Sequence, residues 1–241
     1  MTIHLHTLFW NEEKILPYVL RHYSKFCDHM YFWDNGSTDR SVDIIRAYPN
    51  TTIITYNSGN QFNDLINAHI KNHGWKISRN EADWVIVTDC DEFIHHPDIV
   101  NFLTECKQHG YTFLKPYWCE MLADEFPTGD GDIYDYVQYG YKLTDGKPAI
   151  FDPKKIIETN FGMGSHYAEP TGKVVWHLED KLQCLHMKHL GIDYVVSRYE
   201  MYKNRMSDIN IQMRWGWHYQ LGRDEIKKYI DECKTKQAKV V

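Results

Sequence analysis

One stretch constrains the fold more than any other, residues 84–93, which read WVIVTDCDEF. A β-branched apolar run that ends in three acids is typical of a buried strand whose carboxyl end delivers carboxylates to the edge of a sheet. Open α/β sheets bind ligands at that edge. In an extended chain the side chains of Asp89 and Asp91 point the same way, so they can share one divalent cation. A plain strand followed by an acidic turn is the alternative that this pattern leaves open.

Length and composition narrow the class of protein. The chain has 241 residues, of which 43% are hydrophobic and 25% charged, as expected for a sizeable α/β domain. A net charge of −6 argues against a nucleic-acid partner. The six cysteines include no C-x-x-C pair, so we predict neither a zinc site nor a disulfide framework. With no apolar run of transmembrane length, we expect a soluble cytoplasmic protein.

The first half of the chain alternates strand and helix patterns. Strands are predicted at residues 3–9, 29–33, 51–56 and 84–89, and helices near 17–26, up to 47 and over 63–78. Asn11 is predicted to cap the first helix. This alternation implies right-handed crossovers and a mostly parallel sheet with helices on both faces. The acids that follow strands one, two and four should therefore converge on one edge: Glu12, Asp34, Asp89 and Asp91.

The second half is less regular. A helix over residues 98–109 and a strand over 112–118 precede a loop-rich stretch over 121–171, which contains several glycines and prolines. Short strands at 174–176 and 182–186 and helices near 193–206 and 224–236 complete the prediction. We interpret this half as a smaller antiparallel and loop-rich part.

Three motifs occur in a specific order: Asn11-Glu12 after strand one, the run DNGSTD at residues 34–39 after strand two, and Asp89-x-Asp91-Glu92-Phe93 after strand four. Together they resemble the GT-A glycosyltransferases, specifically the family 2-like group and its DXD motif. The resemblance continues through Trp75-Lys76, Ala82-Asp83-Trp84, Gly162-Met163-Gly164-Ser165-His166, Leu185-His186-Met187-Lys188, Arg205-Met206-Ser207 and Trp217-His218-Tyr219. It departs at Met187, where an aromatic residue is commoner.

The resemblance implies one GT-A domain over residues 1–241, with a Rossmann-like, mostly parallel sheet flanked by helices. Residues 1–96 would form the nucleotide-sugar half, residues 97–220 the smaller acceptor half, and residues 221–241 a C-terminal helix. The donor would be a UDP- or dTDP-sugar, and the acceptor a glycan or another hydroxyl compound. The donor-binding residues would be Trp10, Asn11, Glu12, Asp34, Asn35, Lys76 and Asp89. Two alternatives stay open, since Trp10 suits a core and residues 34–39 suit an Asx-turn.

The metal set implied by the resemblance is Asp89, Asp91 and His186, with Asp91 between the two phosphates. Hard oxygen ligands suit Mn²⁺ or Mg²⁺, and an imidazole ligand favours Mn²⁺. His189, His166 and the pair His95-His96 are competing ligands. Family 2-like enzymes are typically inverting, which requires a base to take the proton of the acceptor. Asp124 is the first candidate for that base, with Glu120 and His166 behind it.

Two rival functions use similar residues. A metal-dependent nucleotidyltransferase or phosphohydrolase would also place acids at strand ends, but the sequence has no glycine-rich phosphate loop and no dense Lys/Arg motif near them. A non-catalytic nucleotide-sugar-binding module would share the same fold. Binding without turnover would distinguish the second rival.

Overall fold

The computed structural model describes residues 1–178 and 181–241, without the side chains of residues 144 and 145. The first half alternates as predicted, with these elements: β1 (Ile3–Phe9), α1 (Leu16–Tyr23), β2 (His29–Asp34), α2 (Ser41–Arg46), β3 (Thr51–Thr55), α3 (Asp64–His73), β4 (Trp84–Asp89), β5 (Glu92–His95) and α4 (Ile99–Gln108). The second half adds β6 (Phe113–Leu114), β7 (Tyr117–Ala123), α5 (Ile133–Tyr136), β8 (Tyr139–Gly146), β9 (Ile150–Phe151), β10 (Ile156–Glu158), β11 (Thr171–Gly172), β12 (Trp176–His177), β13 (Gln183–Leu190), α6 (Ile192–Lys203), α7 (Asp208–Met213), α8 (Arg223–Lys234) and β14 (Ala238–Lys239).

The main sheet has seven strands in the order β12-β6-β9-β4-β1-β2-β3. Strands β4, β1, β2 and β3 run parallel to one another, whereas β9 pairs antiparallel with both β4 and β6. A second sheet has the order β14-β8-β7-β13-β5, and β10 pairs with β11. The prediction of an α/β fold with a large, mostly parallel sheet and a smaller antiparallel part is confirmed.

The central strands are apolar because helices or loops cover both of their faces. All seven residues of β1 are buried. On β4, Trp84 and Ile86 belong to the main core, which includes residues of α1 and α4, while Val85 and Val87 pack in a second cluster with Trp75. This rigid centre fixes the position of the loop that follows β4.

Two predictions for the first half need correction. Asn11 does not cap the first helix, which begins at Leu16 with Pro17 in its first turn; Asn11 instead adopts a left-handed conformation with φ of 53°. The helix predicted over 63–78 changes at Gly74 into a 3-10 turn. Gly74 is required there because a Cβ would lie 2.5 Å from the Trp33 ring.

The stretch expected to be loop-rich contains a long strand. Strand β8 pairs antiparallel with β7 along the second sheet. The predicted strand over 112–118 is divided into β6 and β7, which are separated by Lys115 and Pro116. Within the residues described, no helix is both long and apolar enough to cross a membrane.

Candidate active site

The acids of β2 and β4 meet at one edge of the main sheet. Leu8 of β1 lies opposite Asp89 of β4, and Phe9 lies opposite Asp34 of β2. Since neighbouring strands are about 5 Å apart, Asp34 and Asp89 lie about 10 Å from each other across β1. The predicted convergence of strand-end acids is therefore present in the structure.

A cleft of about 480 Å³ opens at this edge. Eight residues predicted from the sequence line it: Trp10, Glu12, Asn35, Asp89, Asp91, Glu120, His166 and His186. Four others are not among its lining residues: Asn11, Asp34, Lys76 and Asp124.

Three side chains from three different segments form the centre of the cleft. Asp91 lies in the turn between β4 and β5, Glu120 on β7 and His186 on β13, where His186 is paired in register with Glu120. The Nδ1 atom of His186 is 2.9 Å from Oε1 of Glu120, and its Nε2 atom is 3.6 Å from a carboxylate oxygen of Asp91. Burial alone would lower the pKa of His186, but Glu120 and Asp91 raise it to about 10.

This arrangement fits a divalent cation. Ligand atoms of Asp91, Glu92 and His186 all lie within 4.8 Å of one another. Glu92 is already engaged, because it is paired with Lys147 and accepts a hydrogen bond from the backbone N–H of Asp89. A histidine that donates a hydrogen bond from Nδ1 to a carboxylate can bind a metal ion through Nε2 once Nε2 has lost its proton, and this arrangement is common in metal sites. Asp91 and Nε2 of His186 are therefore the residues best disposed to hold a metal.

Two lysine ammonium groups lie beside the Asp89 carboxylate. The ammonium of Lys71 lies 2.7 Å from the Asp89 carboxylate, and that of Lys147 lies 3.5 Å from it. Burial opposes ionisation of Asp89, but these two lysines lower its pKa. Asp89 is thus held by lysine ammonium groups, and it is absent from the cluster formed by Asp91, Glu92 and His186.

A second ion-pair network closes the other side of the cleft. Arg198 of α6 is paired with the buried Glu12, and its guanidinium also lies 3.9 Å from Asp91. The hydroxyl of Tyr202 donates to Glu12 at 3.1 Å. Sequence reasoning missed Arg198, although Tyr194, Arg198 and Tyr202 are four residues apart and share one helix face.

The predicted base-binding residues of the first two loops mostly stabilise each other. Oδ1 of Asn11 accepts the backbone N–H of Thr38 at 2.7 Å, and Oδ1 of Asp34 accepts that of Ser37 at 2.8 Å. The Asx-turn alternative is therefore correct for this oxygen of Asp34.

Two residues near them face the cleft. Asn35 accepts a hydrogen bond from the Ser58 hydroxyl at 2.7 Å. Trp10 is stacked against the guanidinium of Arg205, whose central carbon is 3.6 Å from the ring centre. Arg205 also donates to the backbone carbonyl of Asn60 at 3.1 Å. This fixed cation and ring provide a flat surface at one end of the cleft.

Two predicted residues lie elsewhere. Lys76 is in the 3-10 turn after α3 and pairs with Glu158 at 2.7 Å, so Lys71 and Lys147, not Lys76, are the lysines beside the acids. The Asp124 side chain is 88% exposed and contacts Lys234 of α8 at 2.5 Å. Its position does not support the role of catalytic base, because Asp124 follows the end of β7 and is not among the residues that line the cleft.

His166 is presented to the cleft by a strained loop. Gly164 has a φ of 65°, and Ser165, a non-glycine residue, has a φ of 57°. The Ser165 hydroxyl is buried and has no hydrogen-bond partner among the described residues. Such strain is concentrated at functional sites. Burial, followed by the charges of Lys147 and Lys71, lowers the pKa of His166 to about 4, so its ring is neutral at pH 7.

The other histidine candidates have structural positions. His189 is buried with its Nδ1 atom 3.5 Å from Glu120, which places it behind the His186 pair. His95 packs against the Tyr134 ring, and His96 is stacked on Phe102. Neither His95 nor His96 is among the residues that line the cleft.

The match to a known protein family agrees with the resemblance predicted from the sequence. The model of the family described as Glycosyl transferase family 2 matches residues 6–152. A comparison with curated proteins finds no matching sequence.

Three solved structures match the chain at low sequence identity. The S. aureus TarS 1–349 structure is 14% identical, with a TM-score of 0.46 over 83% of this chain and 63% of that one. Its complex with UDP is 11% identical, with a TM-score of 0.48 over 85% of this chain and 65% of the other. Glucosyl-3-phosphoglycerate synthase from Mycobacterium tuberculosis is 20% identical, with a TM-score of 0.33 over 48% of this chain and 44% of that one. The chain thus spans less than two thirds of the length of these proteins.

Proposed function

Because this chain belongs to glycosyl transferase family 2, and is therefore a glycosyltransferase, we propose that it transfers a sugar from a UDP- or dTDP-sugar to a hydroxyl group of a glycan or similar acceptor. The proposed reaction uses a divalent cation as cofactor and inverts the anomeric carbon. The observation that carries this proposal is the convergence of Asp91, His186 and Glu120 in a cleft at the carboxyl ends of β1, β2 and β4. Ligands of α/β sheets bind at this edge.

The metal part of the proposal is supported by the donor set. Asp91 offers a carboxylate oxygen and His186 offers Nε2 as metal ligands. The Glu120 carboxylate accepts a hydrogen bond from Nδ1 of His186. A mixed oxygen and imidazole set favours Mn²⁺ over Mg²⁺. A cation bound by these residues would neutralise the negative charge that develops on the departing diphosphate.

The base of the proposed reaction is His166. An inverting transfer needs a group that accepts the proton of the acceptor hydroxyl. Asp124 lies outside the cleft, and Glu120 is held by His186 and by the indole N–H of Trp118, 2.7 Å away. His166 lines the cleft, and its imidazole is a group that can accept a proton. The strained loop around Ser165 holds it there.

A thermal-shift panel tests the function. Nucleotide-sugars, beginning with UDP-GlcNAc, UDP-glucose and dTDP-glucose, are added with and without Mn²⁺, and released nucleoside diphosphate is then measured for any sugar that raises the melting temperature. We expect stabilisation that depends on Mn²⁺ and slow release of the diphosphate. Stabilisation without any release across a panel of acceptors would favour a binding module, and no stabilisation by any donor would contradict the proposal.

A further inference from the structure

The cations of the cleft differ in how they are neutralised. Lys71, Lys147 and Arg198 each lie within 4.0 Å of a carboxylate that also lines the cleft. Arg205 is stacked on Trp10 and donates to backbone carbonyls. Lys188 and the exposed Arg214 are different, because no carboxylate of the described residues forms a salt bridge with either of them.

The groups in direct contact with the ammonium group of Lys188 are uncharged, and the carboxylates of Glu120 and Asp91 act on it without forming a salt bridge. The Nζ atom donates to Nε2 of His218 at 3.0 Å. It also lies 5.6 Å from the ring centre of Tyr199 and 5.7 Å from that of Tyr219. Burial and then the charge of Lys188 lower the pKa of His218 to about 3, so His218 is a neutral acceptor here. An aromatic and imidazole enclosure orients a cation but supplies no countercharge.

Lys188 is close in sequence and space to the predicted metal ligand. It follows His186 by two residues on β13, and both side chains line the cleft. Burying half of a cation that has no salt-bridge partner costs free energy, unless an anionic ligand completes the site. A diphosphate bound beside Asp91 and His186 would supply that charge.

We propose that Lys188, positioned by His218 and by the rings of Tyr199 and Tyr219, binds the diphosphate of the donor and stabilises it as it departs. This inference rests on the proposed glycosyl transfer. In that step the bond between the anomeric carbon and the phosphate oxygen breaks, and its electron pair stays on the diphosphate. The acceptor oxygen bonds to the anomeric carbon, and the hydroxyl proton passes to His166. Lys188 remains protonated throughout and donates a hydrogen bond to a phosphate oxygen.

Binding of UDP, UMP and inorganic pyrophosphate in the presence of Mn²⁺ tests the assignment by calorimetry. Lys188→Met keeps the length of the side chain and removes its charge, whereas Lys188→Arg keeps the charge. The control is Lys227→Met, at an exposed position of α8 where the lysine pairs with Asp231. We expect Lys188→Met to weaken UDP and pyrophosphate binding by about tenfold or more, to weaken UMP binding less, and to be rescued in part by Lys188→Arg.

The outcomes separate this inference from the proposed function. Equal affinity of wild type and Lys188→Met for UDP and pyrophosphate would overturn the role of Lys188 and leave glycosyl transfer intact. An equal loss of UDP and UMP affinity, or a lower melting temperature of Lys188→Met, would indicate a structural role and would also overturn it. Failure of wild type to bind any of the three probes would contradict a diphosphate ligand, while turnover in the donor panel would still decide the function.

Discussion

Glu120 and His186 form a hydrogen bond of 2.9 Å across the paired strands β7 and β13, and this bond points the other nitrogen of His186 toward Asp91. An outer carboxylate of this kind fixes the tautomer and raises the basicity of a metal-binding histidine. We therefore infer that Glu120 positions His186.

Glu120→Gln should weaken Mn²⁺ binding by about tenfold or more, because a neutral amide polarises the imidazole less than a carboxylate does. Titration calorimetry with Mn²⁺ alone measures the change. Glu125→Gln, at an exposed position after β7, is the matched control and should bind Mn²⁺ as wild type does. Unchanged Mn²⁺ affinity in Glu120→Gln would refute the positioning role.

His166→Ala should lower kcat by about a hundredfold or more while leaving the Kd for the donor unchanged, since a general base acts on the acceptor. Steady-state rates of diphosphate release, with donor Kd measured separately, provide the comparison. Asp124→Asn serves as the control and should retain wild-type turnover, because Asp124 is exposed and contacts Lys234. The reverse pattern, with Asp124→Asn inactive and His166→Ala active, would restore Asp124 as the base.

His22 should make the protein less stable in mild acid. Burial is the main cause that lowers the pKa of His22 from 6.5 to about 4 in the folded state. In the unfolded chain His22 therefore binds a proton below about pH 6.5, whereas in the folded chain it binds one only below about pH 4. The free energy of unfolding falls as the pH decreases through this interval. The loss amounts to about 3 kcal/mol from this residue and ends below pH 4, where both states are protonated.

Urea unfolding at a series of pH values between 7 and 4 tests this contribution. In His22→Asn the free energy of unfolding should change less steeply with pH, by up to about 1.4 kcal/mol per pH unit, whatever its absolute value. His109→Asn, at an exposed position, controls for the substitution itself. A slope in His22→Asn equal to that of wild type would rule out the contribution.

Lys147 and Glu92 form a buried ion pair, with side chains 1% and 2% exposed. Lys147→Met should destabilise the fold by about 3 kcal/mol, because Glu92 is then buried near Asp89 without its main cation. Adding Glu92→Gln should recover part of this loss by removing the unpaired charge. Urea unfolding of both single variants and the double variant gives the coupling energy. Strictly additive losses would show that the pair contributes no coupling.

Periodicity explains why so much of the first half was predictable. Residues 84–87 are apolar because β4 is covered on both faces, and the same alternation of strands and helices places Asp34 and Asp89 on one edge. The resemblance to family 2 added Asp91 and His186 to the predicted site. These two residues lie about 100 residues apart in the sequence, and the pairing of β5 with β13 brings them together.

The remaining site residues depend on tertiary contacts that have no local signal. Lys147 reaches Glu92 across 55 residues, and Arg198 reaches Glu12 across 186. Lys76 was the basic residue named with the family resemblance, but Lys71, five residues earlier in α3, is the lysine that contacts Asp89. Strand β8 has a weak pattern of its own and is formed because β7 offers it a partner.

The central claim is that Asp91 holds the cation through which a nucleoside diphosphate binds, and calorimetric titration of UDP into wild type and Asp91→Asn, with and without Mn²⁺, tests it most directly. We expect Mn²⁺ to strengthen UDP binding to wild type and to have no effect on Asp91→Asn, whose thermal unfolding should show an intact fold. An Mn²⁺-dependent UDP affinity in Asp91→Asn equal to that of wild type would contradict the account.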